Sequence, residues 1–411
     1  MNTSRIFTIK NPYESVDWDS WTAYKANRHT HSHASDARVD LRDMIESYYA
    51  EGFDVLAMAE HGIVNKGWTV KPKQLPLLSL PVRKLPLNPL TPERCREITV
   101  DGAGRDGRIM LDVPMGIELN AGVLNKNHVN SYFVDTGDGD WGVENDYEPA
   151  IALSHKLGGM SQINHPGDWI RSRHDPNVAR DPKHIRYFGD LLLKYPSCMG
   201  MEILNQNDSP TRHDRILWDG LLEYVIPHGR TVLGLGTSDA HFLRNVVSSY
   251  EYIMMPENTV ENLKTALRSG TLFTVGLHAH PELGDDFTGD VSKPMPMVTR
   301  VTVNPNAQTI ALETNGAEDM VEWIAKGEVI AQGKRIDLTQ HTDKIGCYVR
   351  AQLKGAGGIC FTQAFICDDG NMQTTPDTRT AAEKARDEKE FRRNTKRFRA
   401  IVKFLGEIIK K

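Results

Sequence analysis

His29-Thr30-His31-Ser32-His33-Ala34-Ser35-Asp36 is the stretch from which the fold is read. In a strand alternate residues share a face, so His29 and His31 can present both imidazoles to one ion. His33 either continues that face or sits in the loop beyond, and Asp36 adds a carboxylate. A second stretch, Thr237-Ser238-Asp239-Ala240-His241, repeats the alternation of carboxylate and imidazole at the end of an apolar run.

The same placement recurs between these two stretches. Phe53–Met58 precedes Glu60-His61, Val113–Ile117 precedes Glu118, Met160–Ile163 precedes His165, Met199–Ile203 surrounds Glu202, and Val232–Leu235 precedes Asp239. Short β-type runs that end in a His, Asp or Glu alternate with helical candidates at Leu41–Glu51, Pro149–Leu157 and Arg215–Ile226. That rhythm predicts an α/β fold with a parallel sheet or barrel, in which loops at the C-terminal strand ends converge on one pocket. Twelve of the fifteen histidines lie between His29 and His241. Gathering His61, Glu118, His128 and His165 beside the two opening stretches would bury many ionisable groups together, which is costly unless cations pair with them.

Seven segments, HTHSHASD, AMAEHG, GIELN, NHVN, INHPG, MEILN and GTSDAH, occur in this order over roughly residues 20–276. The series resembles the PHP (polymerase and histidinol phosphatase) superfamily of metal-dependent hydrolases. Lys25-Ala26-Asn27-Arg28-His29 with the Asn-His-Val-Asn and Glu-Ile-Leu-Asn segments looks closest to its carbaryl-hydrolase and microcin-biosynthesis branch. The resemblance implies a distorted (β/α)7 barrel holding two or three divalent ions. Carried over by position, it puts His29, His31, Glu118 and Asp239 around the first ion. Glu118 would bridge to a second ion held with His128 and His165, and Asp36, His61 and His241 would hold the third. Ala37 stands where the family often has Gly, and Glu60 where Asp is common; neither change removes a ligand. His128 is either a ligand or a residue of the supporting shell, as are Glu202 and Asn205. His33 has no family role and reads as a surface or supporting histidine.

Imidazole and carboxylate ligands without thiolates suit Zn, Mn or Fe. Two such ions can share a bridging hydroxide that attacks the substrate, so no protein nucleophile is assigned. Arg171 and Arg244, each shortly after a ligand, are candidates to contact a substrate anion. The expected function is hydrolysis of a small, anionic phosphate ester. Amide or carbamate cleavage on the same centre, nuclease activity and a non-catalytic metal- or ligand-binding module are the competing readings.

Outside this region three expectations follow. Lys71–Pro92 and Gly-rich Asp101–Gly107 form an insertion that is either a substrate-shaping lid or a passive surface loop. After residues 1–277, the short β-type runs within 291–372 predict a small β-sandwich. Residues 373–411 predict a charged amphipathic helix whose Phe391, Phe398, Ile401, Val402, Leu405, Ile408 and Ile409 recur near helical spacing. It would dock on its own protein, join a homo-oligomer or lie on a membrane surface.

Composition bounds these readings. With 411 residues, 25% charged, the chain is long enough for more than one unit and has ordinary globular content. A net charge of -5 carries no global nucleic-acid signature. No apolar leader and no run of about 18 apolar residues is present, so a cytoplasmic enzyme without a membrane span is expected. Five scattered cysteines read as reduced packing residues.

Overall fold

The computed structural model describes residues 5–75, 79–80, 82–122, 125–139, 144–287, 289–316, 320–391, 400–401 and 404. Its first strands are β1 (Thr8–Lys10), β2 (Thr22–Asn27), β3 (Val55–Leu56), β4 (Leu111–Asp112), β5 (Ile117–Leu119) and β6 (Val129–Tyr132). There follow β7 (Met160–Ile163), β8 (Cys198–Asn205), β9 (Leu233–Thr237), β10 (Ser249–Met255) and β11 (Leu272–Gly276). The C-terminal part contributes β12 (Val298–Asn304), β13 (Thr309–Thr314), β14 (Met320–Ala325), β15 (Glu328–Gln332), β16 (Arg335–Asp337), β17 (Tyr348–Gly355), β18 (Gly358–Phe361) and β19 (Phe365–Asp368).

The result is a mixed α/β architecture. One sheet runs β5-β6-β7-β8-β9, and a larger one runs β1-β19-β17-β18-β11-β10-β2-β3-β4, with β14 and β15 attached through β17. Helices with apolar inner faces cover the first sheet. Pro182–Lys194 is started by Asp181, whose carboxylate accepts from the Lys183 N–H, and buries Phe188, Leu191 and Leu192. Asp214–Val225 buries Leu217, Trp218, Leu221, Leu222 and Val225 in the same core.

The expected closed barrel is not found among the described residues. The two sheets meet at single bridges, Thr30 with Ala240 and His61 with Glu118, rather than through ladders. β3 pairs with β2 and β4, and the three-residue β5 pairs with β6, so β4 and β5 end the two ladders without pairing to each other. Nor is the sheet purely parallel: β6 runs antiparallel to both β5 and β7. The reversal between β6 and β7 is made across a long connection that carries the helix Glu148–Lys156, so a helical crossover here does not return the chain parallel.

Two glycines set how closely the site strands approach. A side chain at Gly200 would meet the Leu233 carbonyl oxygen at 2.0 Å, so glycine lets β8 and β9 pack edge to edge. At Gly116 a Cβ would lie 2.4 Å from the Met58 carbonyl oxygen, and its absence brings Glu118 beside His61.

In the C-terminal part β12-β13-β16 form a separate sheet that packs on the larger one. Val298, Val301, Ile310 and Leu312 share a core with Val321, Trp323, Val349 and Ala351. Two layers are present, as a sandwich requires. However, one layer does not stop at a domain edge: β18 pairs with β11, Thr274 opposite Phe361 and Gly276 opposite Ile359. The N-terminus also belongs here, since β1 pairs with β19 and Arg5 Nε lies 2.7 Å from Asp369 Oδ2. Of the expected terminal helix, Ala381–Phe391 is helical; Phe398, Val402, Leu405, Ile408 and Ile409 lie outside the described residues. Among the described residues no helix is long and apolar enough to cross a membrane.

Candidate metal centre

β2 ends at Asn27, whose side-chain oxygen accepts the His29 N–H at 3.0 Å and turns the chain into the site. The extended backbone continues, with the His31 N–H donating to the Ala240 carbonyl, so His29 and His31 both face Asp239. Their Nε2 atoms lie 3.5 and 3.0 Å from Asp239 Oδ1.

Glu118 of β5 occupies the middle. Its Oε1 is 3.2 Å from His29 Nε2, 3.1 Å from His128 Nδ1 and 3.6 Å from His165 Nε2. Its Oε2 is 2.7 Å from His61 Nδ1 and 3.7 Å from His31 Nε2. Further out, Asp36 Oδ1 lies 3.3 Å from His61 Nε2 and 3.2 Å from His241 Nε2. Thus the structure brings together all nine residues singled out by strand-end position. Three overlapping groups have donor atoms within 4.8 Å of one another and could hold a metal ion: His31-Asp36-His61-His241, His29-His31-Asp239 and His61-Glu118-His128.

Burial here would push the His29, His61 and His241 imidazoles toward neutrality. The surrounding carboxylates overcome it, raising His29 and His61 well above the ordinary range and His241 to about 9. His31 moves the other way, to about 4, because burial is joined by repulsion from His61 and His241. Burial would raise Glu118, Asp239 and Asp36, yet neighbouring imidazoles hold all three well below the usual carboxylate range. Imidazoles and carboxylates are thus charge partners of the kind that divalent cations would replace on binding.

The hydrogen-bond accounting points the same way. His29 Nε2, His31 Nδ1 and Nε2, His61 Nδ1, Asp36 Oδ1 and Glu118 Oε2 are buried without hydrogen-bond partners. Buried polar atoms are normally paired, and orphans gathered in one spot fit a set of metal ligands.

Glu202 differs from its neighbours in being saturated. It faces His29 Nδ1 at 2.7 Å and accepts from Thr237 Oγ1, Gln162 Nε2, Asn205 Nδ2 and the His165 N–H. With its lone pairs engaged it orients His29 and anchors the His165 turn. Asn164 Nδ2 donates to Glu118 Oε1 at 2.8 Å, a supporting role with no signature beyond its place before His165. His33 points away: its Nδ1 lies 2.5 Å from the Pro86 carbonyl, and Gln74 Nε2 donates to the His33 carbonyl. Asp40 accepts from Asn88 N and Nδ2. The insertion is thereby fastened to the loop that carries Asp36.

A cavity of about 330 Å³ opens over these ligands, walled by Ala121, Gly122, Asn125, Lys126, Asp168, Gln206 and Pro210. No residue of the insertion lines it among the described residues. Arg171 and Arg244 are exposed and do not line it either; Arg244 stacks over Phe242 at 4.2 Å. The cation at the mouth is Lys126, with its ammonium 3.2 Å from Asp168 Oδ2. Sequence reasoning missed this pair, although Lys126 lies two residues before His128 and Asp168 three after His165. Around the cavity His165, Gln206 and Asp239 adopt positive φ of 27°, 51° and 42°. Such strain in non-glycine residues clusters at functional sites.

No protein-family model matches this chain, and no curated protein matches its sequence. Among solved structures it is similar to a two-domain protein from Bacteroides vulgatus containing a predicted PHP-like metal-dependent phosphoesterase. That likeness has 16% identity over 92% of this chain and 97% of the other, with a TM-score of 0.43. A weaker likeness is to an amidohydrolase from Chromobacterium violaceum with bound sulfate and no metal, at 14% identity over 53% of this chain and 87% of that one, TM-score 0.28. Likenesses at this level establish neither family nor activity, and neither distinguishes the carbaryl-hydrolase branch.

Proposed function

We propose that this chain is a metal-dependent hydrolase of a small phosphate ester. Its ligands to two or three divalent ions (Zn, Mn or Fe) would be His29, His31, Asp36, His61, Glu118, His128, His165, Asp239 and His241. The observation that carries the reading is Glu118, a fully buried carboxylate within 3.7 Å of five imidazoles whose donor atoms are in part unsatisfied. Divalent ions bound there would lower the pKa of water toward neutrality and offset charge on an anionic substrate.

The remaining work falls to side chains of the chain itself. Glu202 holds His29 by Nδ1 and leaves Nε2 facing the centre. Asp239 and Glu118 keep the imidazoles aligned, and the cavity walls limit the substrate to a small molecule. At the mouth Lys126 offers an ammonium to a phosphoryl oxygen, exchanging its Asp168 partner for the substrate anion. This favours the phosphate ester over a neutral amide or carbamate. Residues 1–277 would then be the catalytic unit, 291–372 a supporting β unit and 373–411 an appended tail.

Metal analysis of the purified protein, combined with a panel of phosphomonoesters, nucleotides, carbamates and amides, tests the proposal. Bound divalent metal with turnover of phosphomonoesters is expected. Activity confined to carbonyl substrates would replace the phosphate ester with an amide or carbamate, and metal binding without turnover would leave only a binding module.

A further inference from the structure

Phe391, in the helix Ala381–Phe391, is packed against the back of the cavity walls. Phe391 is only 9% exposed, and its ring stacks on Tyr187 at 4.3 Å and Trp169 at 5.6 Å between centroids. Its carbonyl accepts from Asn145 Nδ2 at 2.9 Å, and Asn145 Oδ1 in turn accepts from Trp169 Nε1 at 3.2 Å. Lys183 Nζ pairs with Glu390 at 2.9 Å and seats the end of the helix from the side.

Each of these contacts leads to one wall of the mouth. Trp169 follows Asp168 in the short helix Pro166–Ile170, which begins directly after His165. Asn145 follows Glu144, whose carbonyl accepts from Asn120 Nδ2, Asn125 Nδ2 and Asn127 Nδ2 at 2.9–3.1 Å. Asn125 and Asn127 flank Lys126, and the Asn125 carbonyl lies 3.1 Å from His128 Nε2. The segment Asn125–His128 has no regular secondary structure, so side-chain amides converging on one carbonyl hold its shape. From opposite directions, Lys126 and Asp168 are thus both backed by contacts that end at Phe391.

We propose that the C-terminal helix is a strap that positions the mouth of the cavity, with Phe391 as a positioning residue for the Lys126–Asp168 pair and for His128. Its influence on substrate rests on the cavity being the working site; its influence on the two walls does not. Releasing Phe391 frees Trp169 and Asn145 together, which loosens both walls while leaving Glu118 on β5 and His29 and Asp239 just beyond the ends of β2 and β9.

Hydrogen exchange on the full-length, metal-free protein separates these effects, comparing wild type with Phe391→Ala. Exchange about tenfold faster in segments 125–130 and 165–170, as well as in 381–391, is expected. Phe391→Tyr, which keeps the stacked ring, should restore wild-type exchange. If Phe391→Ala exchanges faster throughout the protein, Asn145→Ala, which cuts the carbonyl link and keeps the aromatic packing, decides by its exchange in 125–130. Faster exchange confined to 381–391 and the adjoining 183–187, with 125–130 and 165–170 unchanged, would overturn the strap. Where turnover is measurable, KM should rise about tenfold with a smaller fall in kcat, because the mouth and His128 are disturbed while Glu118, His29 and Asp239 are not. Protection changes of the expected pattern in a protein without turnover would keep the strap and reject only the hydrolase.

Discussion

Charge is buried in two different ways in this molecule. Behind the site and toward the C-terminal strands the charged groups form closed sets. Arg28 makes a two-pronged contact with Glu251 at 2.7 and 2.9 Å. Arg350 does the same with Asp219 at 2.7 Å on both prongs, and Tyr348 OH completes that carboxylate. Arg215 is shared between Asp208 and Glu282. At the strand ends, by contrast, five imidazoles surround one carboxylate and several donor atoms remain unmatched. Burial of charge is common to both regions and so does not mark function. A cluster of incompletely satisfied imidazoles and carboxylates does, because a protein tolerates it where something else supplies the missing partners.

The contrast can be broken at several points, taken here from the largest expected effect. Glu118→Gln preserves shape but removes the central negative charge, so bound metal should be lost and turnover should fall by about 10³-fold or more. Elemental analysis beside steady-state rates reads both, and unchanged metal content would sever Glu118 from the centre. Asp219→Ala attacks the closed kind of site. Leaving Arg350 buried without its partner should cost about 3–5 kcal/mol in urea unfolding, with the metal content of the folded protein unaltered. A loss of metal instead would mean that the two regions are not independent.

Glu202→Gln lies between the extremes, since Glu202 is saturated yet touches a proposed ligand. It should weaken metal affinity by about 10–100-fold in chelator competition and leave the fold intact. Equal affinity would place Glu202 with the closed pairs.

The smallest effect is expected at Asp214, which accepts from the Gly167 N–H next to the His165 turn. Burial, opposed by that N–H and by Arg215, raises its carboxyl to about 8. Because the folded value exceeds the unfolded one, its contribution is full below the ordinary carboxylate range and is lost as pH rises through about 8. Asp214→Asn should therefore gain on wild type progressively between pH 4 and 8 and hold that lead above it. Parallel stability–pH curves for the two proteins would show that Asp214 does not titrate in this window.

Much of the site was legible in the chain. His29 and His31 share a face because extended chain alternates, and Asp239 and His165 follow apolar runs that are strands, whereas the run before Glu118, Val113–Ile117, is mostly a turn and the strand there is Ile117–Leu119. Adjacency in space was the part that pattern alone could not supply. That Glu118 meets five imidazoles, more than Asp239 or Asp36, goes with the close approach of Gly116 to Met58 beside the His61–Glu118 bridge. Lys126 and Asp168 were invisible as a pair, lying on separate irregular segments. The direction of β6 was hidden too, because a buried strand has the same apolar alternation whichever way it runs. His33 was readable as a histidine without a ligand role, but its partner, the Pro86 carbonyl, comes from an insertion with no periodicity to place it.

By itself, then, the sequence determined the alternating α/β character, the strand ends on which chemistry sits and the residue types available there, since these follow from local periodicity and side-chain chemistry. Only the tertiary structure decided which of those groups share an ion-sized space, which carboxylates are already satisfied, where the mouth opens and that the C-terminal helix reaches behind it. Those properties depend on contacts between segments far apart in the chain, and such contacts are set by packing and hydrogen-bond closure, which no local pattern encodes.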